Sequence, residues 1–122
     1  MEKPNYFDQS IEDYKRGTTK MKQYLPELTQ GYDNFTQEAF KKGSIDQKQK
    51  QLMALAISIY AQDEYCIIYH TKGAVEHGAT DTEIMETLGV SAALGGGAAF
   101  AQAVTLALDC YAHYKNGNMS HD

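Results

Sequence analysis

The segment from Leu52 to Ala61 (LMALAISIYA) constrains the fold of this chain more than any other stretch. Written as a helix, it is apolar on nearly every side, and a helix that is hydrophobic all round belongs inside a protein core. Ser44–Gln47 (SIDQ) matches a capping box that would open this helix, and Asp63 or its neighbourhood would end it. We therefore expect this helix to form the centre of the core.

Glycine and proline divide the chain before this segment into two further helical blocks. Residues 6–24 carry apolar side chains among many charges, which predicts a weakly amphipathic helix with a break near Gly17. Pro26 suits the first turn of the next helix. Gly43 stands where the C-terminal cap of that helix belongs.

The second half of the chain also has helical patterns. The helix that starts near Asp63 should end at Gly78. Thr80–Glu83 (TDTE) is a second capping box, which opens a helix through Leu88. A long block rich in alanine and glycine follows from Val90 to Tyr114. Since no segment alternates polar and apolar residues as a half-buried strand would, we predict an all-α protein.

Length and charge exclude several classes of protein. The 122 residues suffice for one domain, and the net charge of −5 without a basic run makes nucleic acid an unexpected partner. No apolar stretch is long enough to cross a bilayer, and Met1–Asn5 lacks a signal-peptide pattern. We therefore expect a cytoplasmic protein with no membrane partner. In that compartment Cys66 and Cys110 should be free or catalytic thiols rather than a disulfide.

The residues with the most chemistry share one helical stripe. Asp63, Cys66, His70 and His77 fall on one face when the segment is written as a helix. Cys66 and His70 are four residues apart, so their side chains can meet. An imidazolium beside a thiol lowers the thiol pKa and favours the nucleophilic thiolate. The pattern therefore marks a candidate thiol site.

Other interpretations of these residues remain open. Cysteine is among the most buried residue types, so Cys66 and His70 could be a packing pair. Cys66, His70, His77 and Asp63 are also plausible metal ligands, although structural zinc usually takes ligands from separate elements, and we expect no metal or cofactor. Leu94–Ala99 (LGGGAA) lacks the spacing of a phosphate loop, so its glycines indicate close packing of helices or subunits.

Three segments together resemble a known family: Gln51–Ala56, Cys66–Ala74 and Gly78–Ile84. They are similar to the carboxymuconolactone decarboxylase family, which includes the alkylhydroperoxidase D (AhpD)-like proteins. The similarity covers roughly residues 25–115, so we take residues 25–122 as the family domain and 1–24 as an N-terminal helical extension. The resemblance implies a single-domain AhpD-like helical bundle that forms trimers or hexamers with the site near a subunit interface.

The resemblance also assigns roles to residues. AhpD-like proteins carry Cys-x-x-Cys-x-x-x-His with a glutamate on the preceding helix. The second cysteine attacks the peroxide, the first resolves it as a disulfide, and histidine and glutamate relay protons. By position, Cys66 matches the attacking cysteine and His70 the histidine. Asp63 stands in the place of the resolving cysteine and Gln51 in that of the glutamate.

Those two departures change the expected chemistry. Without a cysteine at 63 no local disulfide can form, so oxidised Cys66 would need Cys110, another subunit or an external thiol. Gln51 can hydrogen-bond but cannot carry a proton at neutral pH. The charge of Asp63 would raise the thiol pKa while a charged His70 would lower it, and the sequence leaves the balance open.

Three functions are compatible with the sequence. The favoured one is an AhpD-like thiol peroxidase or thiol–disulfide oxidoreductase of antioxidant type, with Cys66 as nucleophile and His70 as base. It would be a homo-oligomer acting on a small peroxide with an external thiol reductant. The second is a carboxymuconolactone decarboxylase-like lyase or small organic acid-binding protein, in which His70 and His77 hold a carboxylate. The third is a non-redox oligomer that keeps only the fold.

Overall fold

Helices make up nearly all of the part of the chain that the computed structural model describes, residues 5–117. They are α1 (Tyr6–Tyr24), α2 (Pro26–Phe40), α3 (Gln47–Tyr60), α4 (Glu64–Glu76), α5 (Asp81–Gly95), α6 (Gly97–Gln102) and α7 (Leu108–Lys115). A π-helical segment, Ala103–Ala107, joins α6 to α7. Residues 5–117 contain no strand, so the all-α prediction is confirmed.

The helix that carries the apolar segment, α3, packs between α4 and α5. Leu55 and Ile59 are fully buried in a cluster that includes Ile67 of α4 and Ile84 of α5. The same cluster receives small side chains from α6 and the π-helical segment. The expectation that this helix lies at the centre of the core is therefore confirmed for one of its faces.

The opposite face of α3 is open in the single chain. Met53, Ile57 and Tyr60 are 49%, 66% and 59% exposed. The expectation of burial on all sides is thus wrong for one chain, because α4 and α5 cover only one side of this helix.

Several predicted helix ends are wrong. Helix α1 runs without a break through Gly17, and α2 ends at Phe40 rather than at Gly43. Asp46, not Ser44, caps α3: its carboxylate accepts a hydrogen bond from the Gln49 backbone N–H at 2.8 Å. An acidic side chain directly before the first turn can reach these unpaired N–H groups, and Ser44 is two residues too early.

Other helix ends follow the sequence signals. Pro26 occupies the first turn of α2, and Thr80 forms the predicted capping box with Glu83. Gly78 follows the end of α4 with a positive φ of 83°. Helix α5 continues well beyond Leu88, however, and the long final block is broken at Gly96, where φ is +76°. Glycine adopts this left-handed region at little cost.

The N-terminal helices form a hairpin, α1–α2, that lies against α4. Ile11 of α1 packs with Ile68 of α4 and with Cys110 and Tyr114 of α7. The Tyr114 hydroxyl also donates to the Asp8 carboxylate at 2.9 Å. In contrast, Thr29 is the only buried residue of α2. The hairpin is therefore fixed mainly through α1.

No helix within residues 5–117 combines the length and the apolar character needed to cross a bilayer. Of the N-terminal stretch Met1–Asn5, in which the sequence shows no signal-peptide pattern, only Asn5 belongs to the described residues.

A substitution at Gly95 tests the close helix packing that the sequence indicated for Leu94–Ala99. A Cβ atom there would lie 2.6 Å from the Ala99 Cβ and 3.3 Å from the Tyr60 ring. We expect Gly95→Ala to lower the free energy of unfolding by about 1–3 kcal/mol, because the neighbours must move. Gly89→Ala, on the same helix with open space around it, should raise it by up to about 1 kcal/mol. Urea unfolding measures both, and equal effects would contradict the packing argument.

Candidate active site around Cys66

A cavity of about 440 Å³ lies between the α1–α2 hairpin and helices α3 and α4. Cys66 and His70 of α4 and Gln51 of α3 line it. The remaining lining residues come mostly from α1 and α2. The structure thus brings together three of the four catalytic candidates, and the fourth, Asp63, contacts Cys66 directly.

Asp63 fixes the start of the helix that carries the thiol. It is the N-cap of α4, and its carboxylate accepts a hydrogen bond from the Cys66 backbone N–H at 3.2 Å. Aspartate is among the best residues for this position, because its side chain satisfies an otherwise unpaired N–H group. Cys66 consequently lies in the first turn of α4, next to a carboxylate.

The environment of Cys66 keeps its thiol protonated. Partial burial raises its pKa to about 11, and Asp63 adds to this by accepting a hydrogen bond from the thiol and by its negative charge. Burial and the carboxylate outweigh the helix N-terminus, which by itself would favour a thiolate. The balance between Asp63 and a charged His70, which the sequence left open, therefore favours the protonated thiol in the resting protein.

His70 is held as a neutral, oriented imidazole. Its Nδ1 lies 2.9 Å from Oε1 of Gln51, and because that oxygen only accepts, Nδ1 carries the proton. Phe40 stacks on the His70 ring at 5.3 Å between centroids with an interplanar angle of 12°. Burial lowers the pKa of His70 below its ordinary value. At neutral pH the unprotonated Nε2 is thus the ring nitrogen able to accept a proton.

Gly73 makes the hydrogen bond between Gln51 and His70 possible. A Cβ at this position would lie 2.3 Å from Oε1 and 2.6 Å from Cδ of Gln51. The absence of a side chain on α4 therefore provides the space for the Gln51 amide. Sequence reasoning missed the role of this residue. A glycine in the middle of a helix lowers helix stability by about 1 kcal/mol relative to alanine, so its position three residues after a candidate base could have indicated a function.

The remaining candidates lie apart from the cavity. His77 is the C-cap of α4 and its Nδ1 contacts the Gly73 carbonyl at 2.8 Å. Cys110 is fully buried, and its thiol donates to the Ile68 carbonyl at 3.8 Å. Neither residue lines the cavity. Within residues 5–117 no group of three or more histidine, cysteine and acidic side chains is placed to hold a metal ion.

Sequence reasoning also missed the aromatic character of the cavity. Its lining includes Tyr14, Tyr32, Phe40, Tyr65 and Tyr69. These residues come from three different helices, and no local pattern indicates that they meet. The tyrosines on α4 alternate with the chemically active side chains, and this pattern could have indicated that aromatic rings line the site.

The sequence profile of the carboxymuconolactone decarboxylase family matches residues 26–109, which is more than half of the chain. The chain belongs to this family. The resemblance inferred from the three segments is therefore confirmed. The match begins at α2, so α1 lies outside it.

A protein from another organism is similar to part of the chain. A Paracoccus denitrificans protein, uncharacterized protein 4 in cox locus, is 44% identical over 64 residues, or 52% of this chain. That match spans 58% of the relative's own length, which is less than two thirds.

Solved structures from the family share the fold. The apo form of a carboxymuconolactone decarboxylase family protein from Legionella pneumophila has a TM-score of 0.85 and 32% identity, covering 89% of this chain and 96% of that one. A Thermotoga maritima family member, with a suggested involvement in antioxidative response, has a TM-score of 0.64 and 27% identity, covering 84% and 97%.

Asp63→Asn tests what keeps the thiol protonated. Asparagine retains the N-cap but removes the charge, so we expect the Cys66 pKa to fall from about 11 towards its ordinary value. Alkylation of Cys66 at about pH 7 should then accelerate, since only the thiolate reacts. Asp46→Asn, at the N-cap of α3, is the matched control and should leave the rate unchanged. An unchanged rate in Asp63→Asn would contradict the account.

Gly73→Ala tests the space that holds Gln51. The new methyl group would displace the flexible amide rather than the backbone, so we expect the fold to persist and the Gln51–His70 hydrogen bond to break. The nitrogen chemical shifts of the His70 ring should change from those of an imidazole protonated at Nδ1 to those of a mixture of the two tautomers. Gly31→Ala on α2, where a Cβ meets nothing within 4 Å, is the control. A retained Nδ1–H signal in Gly73→Ala would refute the role of Gly73.

Proposed function

We propose that this protein is an AhpD-like thiol-dependent peroxidase of antioxidant type that works with a single cysteine, Cys66. The observation that carries the proposal is that Cys66 and His70 line the same cavity, with the His70 Nδ1 hydrogen-bonded to Gln51. This arrangement leaves Nε2 as the base. The suggested antioxidative involvement of the Thermotoga maritima relative is consistent with it.

The proposed oxidation begins from two neutral groups. When a hydroperoxide enters, the thiol proton of Cys66 passes to His70 Nε2 while the sulfur attacks one peroxide oxygen. A sulfur–oxygen bond forms and the oxygen–oxygen bond breaks. The leaving alkoxide then takes the proton from His70, so that the products are a Cys66 sulfenic acid and an alcohol. Gln51 orients His70 throughout but carries no proton.

An external thiol completes the proposed cycle. Cys110 is buried away from the cavity and position 63 is an aspartate, so neither supplies a nearby resolving thiol. A low-molecular-weight thiol would attack the sulfenic acid, which releases water and leaves a mixed disulfide. A second thiol molecule would then release Cys66 and form the small disulfide. The proposal places the protein in the cytoplasm, where such thiols are abundant.

The alternative of a carboxylate site finds less support. It required His70 and His77 together, and His77 does not line the cavity. Lys72 pairs with Glu76 at 3.6 Å and does not line the cavity either, and the cation that does line it, Lys15, is accompanied there by the carboxylate of Asp33. If the protein shows no peroxidase activity, the third interpretation remains, a non-redox oligomer that keeps only the fold.

The pH dependence of peroxide reduction tests the base. With His70 accepting the proton, the rate should be nearly constant from about pH 7 to 9. It should fall only at more acidic pH, where the imidazole becomes charged, because burial lowers the pKa of His70 below its ordinary value. Alkylation by iodoacetamide should instead rise about tenfold per pH unit over that range, since the thiol pKa is about 11.

Variants make this test specific. His70→Gln should convert the flat peroxide profile into the rising one, and Cys66→Ser should abolish turnover. Cys110→Ser is the matched control, and it should retain turnover because that thiol is buried outside the cavity. Equal loss in both cysteine variants, or a rising profile in wild type, would refute the single-cysteine mechanism.

We also propose that the protein is a homo-oligomer, three-fold or a dimer of trimers. Large apolar side chains of α3, α5 and α6 remain exposed in the single chain, among them Ile57, Tyr60, Leu94 and Phe100 at 66%, 59%, 77% and 57%. Association that covered them would be favourable by about 25 cal/mol per Å² of apolar surface. The open face of α3 would then be buried, as the apolar sequence of that helix first indicated.

Ile57→Asp tests the oligomer. A carboxylate on the open face of α3 would have to be buried without a partner, so we expect light scattering to show a shift to smaller species. Ile45→Asp, at an exposed position between α2 and α3, should leave the mass unchanged. A wild-type protein that is monomeric at micromolar concentration would end this proposal.

A further inference from the structure

We infer that the cavity at Cys66 binds a substrate with a planar aromatic ring, and that Tyr14 of the N-terminal helix is a specificity-determining residue. The inference rests on the proposed function for the identity of the reacting group, a hydroperoxide. It goes further in assigning the body of the substrate, which the aromatic walls of the cavity would recognise.

The size of the cavity does not suit a minimal peroxide. Hydrogen peroxide has only two heavy atoms, whereas a cavity of about 440 Å³ lies in the range of sites for much larger organic ligands. Cys66 and His70 are part of its lining, so a ligand that fills the cavity contacts the reactive groups. The cavity therefore provides binding surface for a substrate body beyond the peroxide oxygens.

The walls of that surface are aromatic. Tyr14 and Tyr65 stack at 4.2 Å between ring centroids with an interplanar angle of 6°, and Tyr65 is followed by Tyr69 at 5.8 Å and 24°. Phe40 stacks on the imidazole of His70 at 5.3 Å. Tyr14, Tyr32 and Tyr69 are still 42%, 59% and 47% exposed, so part of this aromatic surface is open. Aromatic rings pair favourably with such surfaces beyond simple burial.

The charges of the cavity favour an uncharged ligand body. Lys15 and Asp33 both line it and offset each other in sign. Burial raises the pKa of Tyr14 and of Tyr65, so these phenols stay neutral. The thiol and the imidazole are neutral as well. Recognition must therefore come mainly from shape and ring stacking.

Tyr14 is the aromatic residue of this wall that lies outside the stretch matched by the family profile. It lies on α1, which precedes the matched residues 26–109, together with Ile11, Lys15 and Thr18 of the same lining. The other member of its stacked pair, Tyr65, is the neighbour of Cys66 in sequence. The N-terminal helix thus adds a specificity surface directly beside the thiol.

Two alcohols that cannot react with a thiol provide the test. Naphthylmethanol is planar, whereas decahydronaphthylmethanol is its saturated, slightly larger and more apolar counterpart. If apolar burial alone governed binding, the saturated alcohol would bind more tightly. We expect the wild-type protein, titrated by calorimetry, to bind naphthylmethanol about three- to tenfold more tightly instead.

Variants at Tyr14 complete the test. Tyr14→Leu, which lacks the ring, should remove the preference for naphthylmethanol. Tyr14→Phe, which keeps the ring, should keep that preference. The pair of variants therefore distinguishes the loss of the ring from a general effect of substitution at this position on the fold. Tyr24→Leu, on the same helix at a position 76% exposed and outside the cavity, should also keep it. Equal or tighter binding of the saturated alcohol, no binding of either, or a preference that survives Tyr14→Leu would overturn the inference. Because neither alcohol is turned over, this result is independent of the peroxidase activity, and failure of one proposal is distinguishable from failure of the other.

Discussion

The hydrogen bond between Gln51 and His70 joins the core of the protein to its candidate site. Gln51 directly precedes Leu52, so the packing of α3 in the core also positions the amide. Gly73 provides the space that the amide occupies. The orientation and tautomer of the imidazole are therefore set by helix–helix packing rather than by a flexible loop, which is an arrangement that preorganises a base.

Asp63 connects helix stability with thiol chemistry. As N-cap of α4 it satisfies a backbone N–H, which typically stabilises a helix by about 1 kcal/mol. The same carboxylate, together with burial, keeps the neighbouring thiol protonated. A thiol of this kind is protected against indiscriminate oxidation and alkylation, and a general base must activate it at the moment of reaction. His70 is neutral and thus suited to that role.

Local signals in the sequence were enough to predict much of the fold. The Thr80 capping box, Pro26 and Gly78 lie where the prediction placed them, because each acts within a few residues of its own position. The motif segments were enough to predict the family. One error arose where two possible helix caps, Ser44 and Asp46, lie close together in the sequence. Another arose at Gly17, where the free-energy cost of a glycine inside the helix is smaller than the stabilisation that α1 gains by continuing.

The site was only partly predictable for a different reason. Cys66 and His70 are close in sequence, so their shared face could be recognised, whereas Tyr14 and Tyr65 meet only through the packing of the hairpin on α4. The role of Gly73 depends on a side chain of another helix. The pKa of Cys66 depends on burial, which the sequence does not specify.

The most direct test of the single-cysteine account is the product of one oxidation. The reduced protein would be treated with one equivalent of hydroperoxide in the presence of dimedone, and the cysteine peptides analysed by mass spectrometry. We predict a dimedone adduct on Cys66 and an unmodified thiol on Cys110. A disulfide between these two residues, or no modification of Cys66, would contradict it.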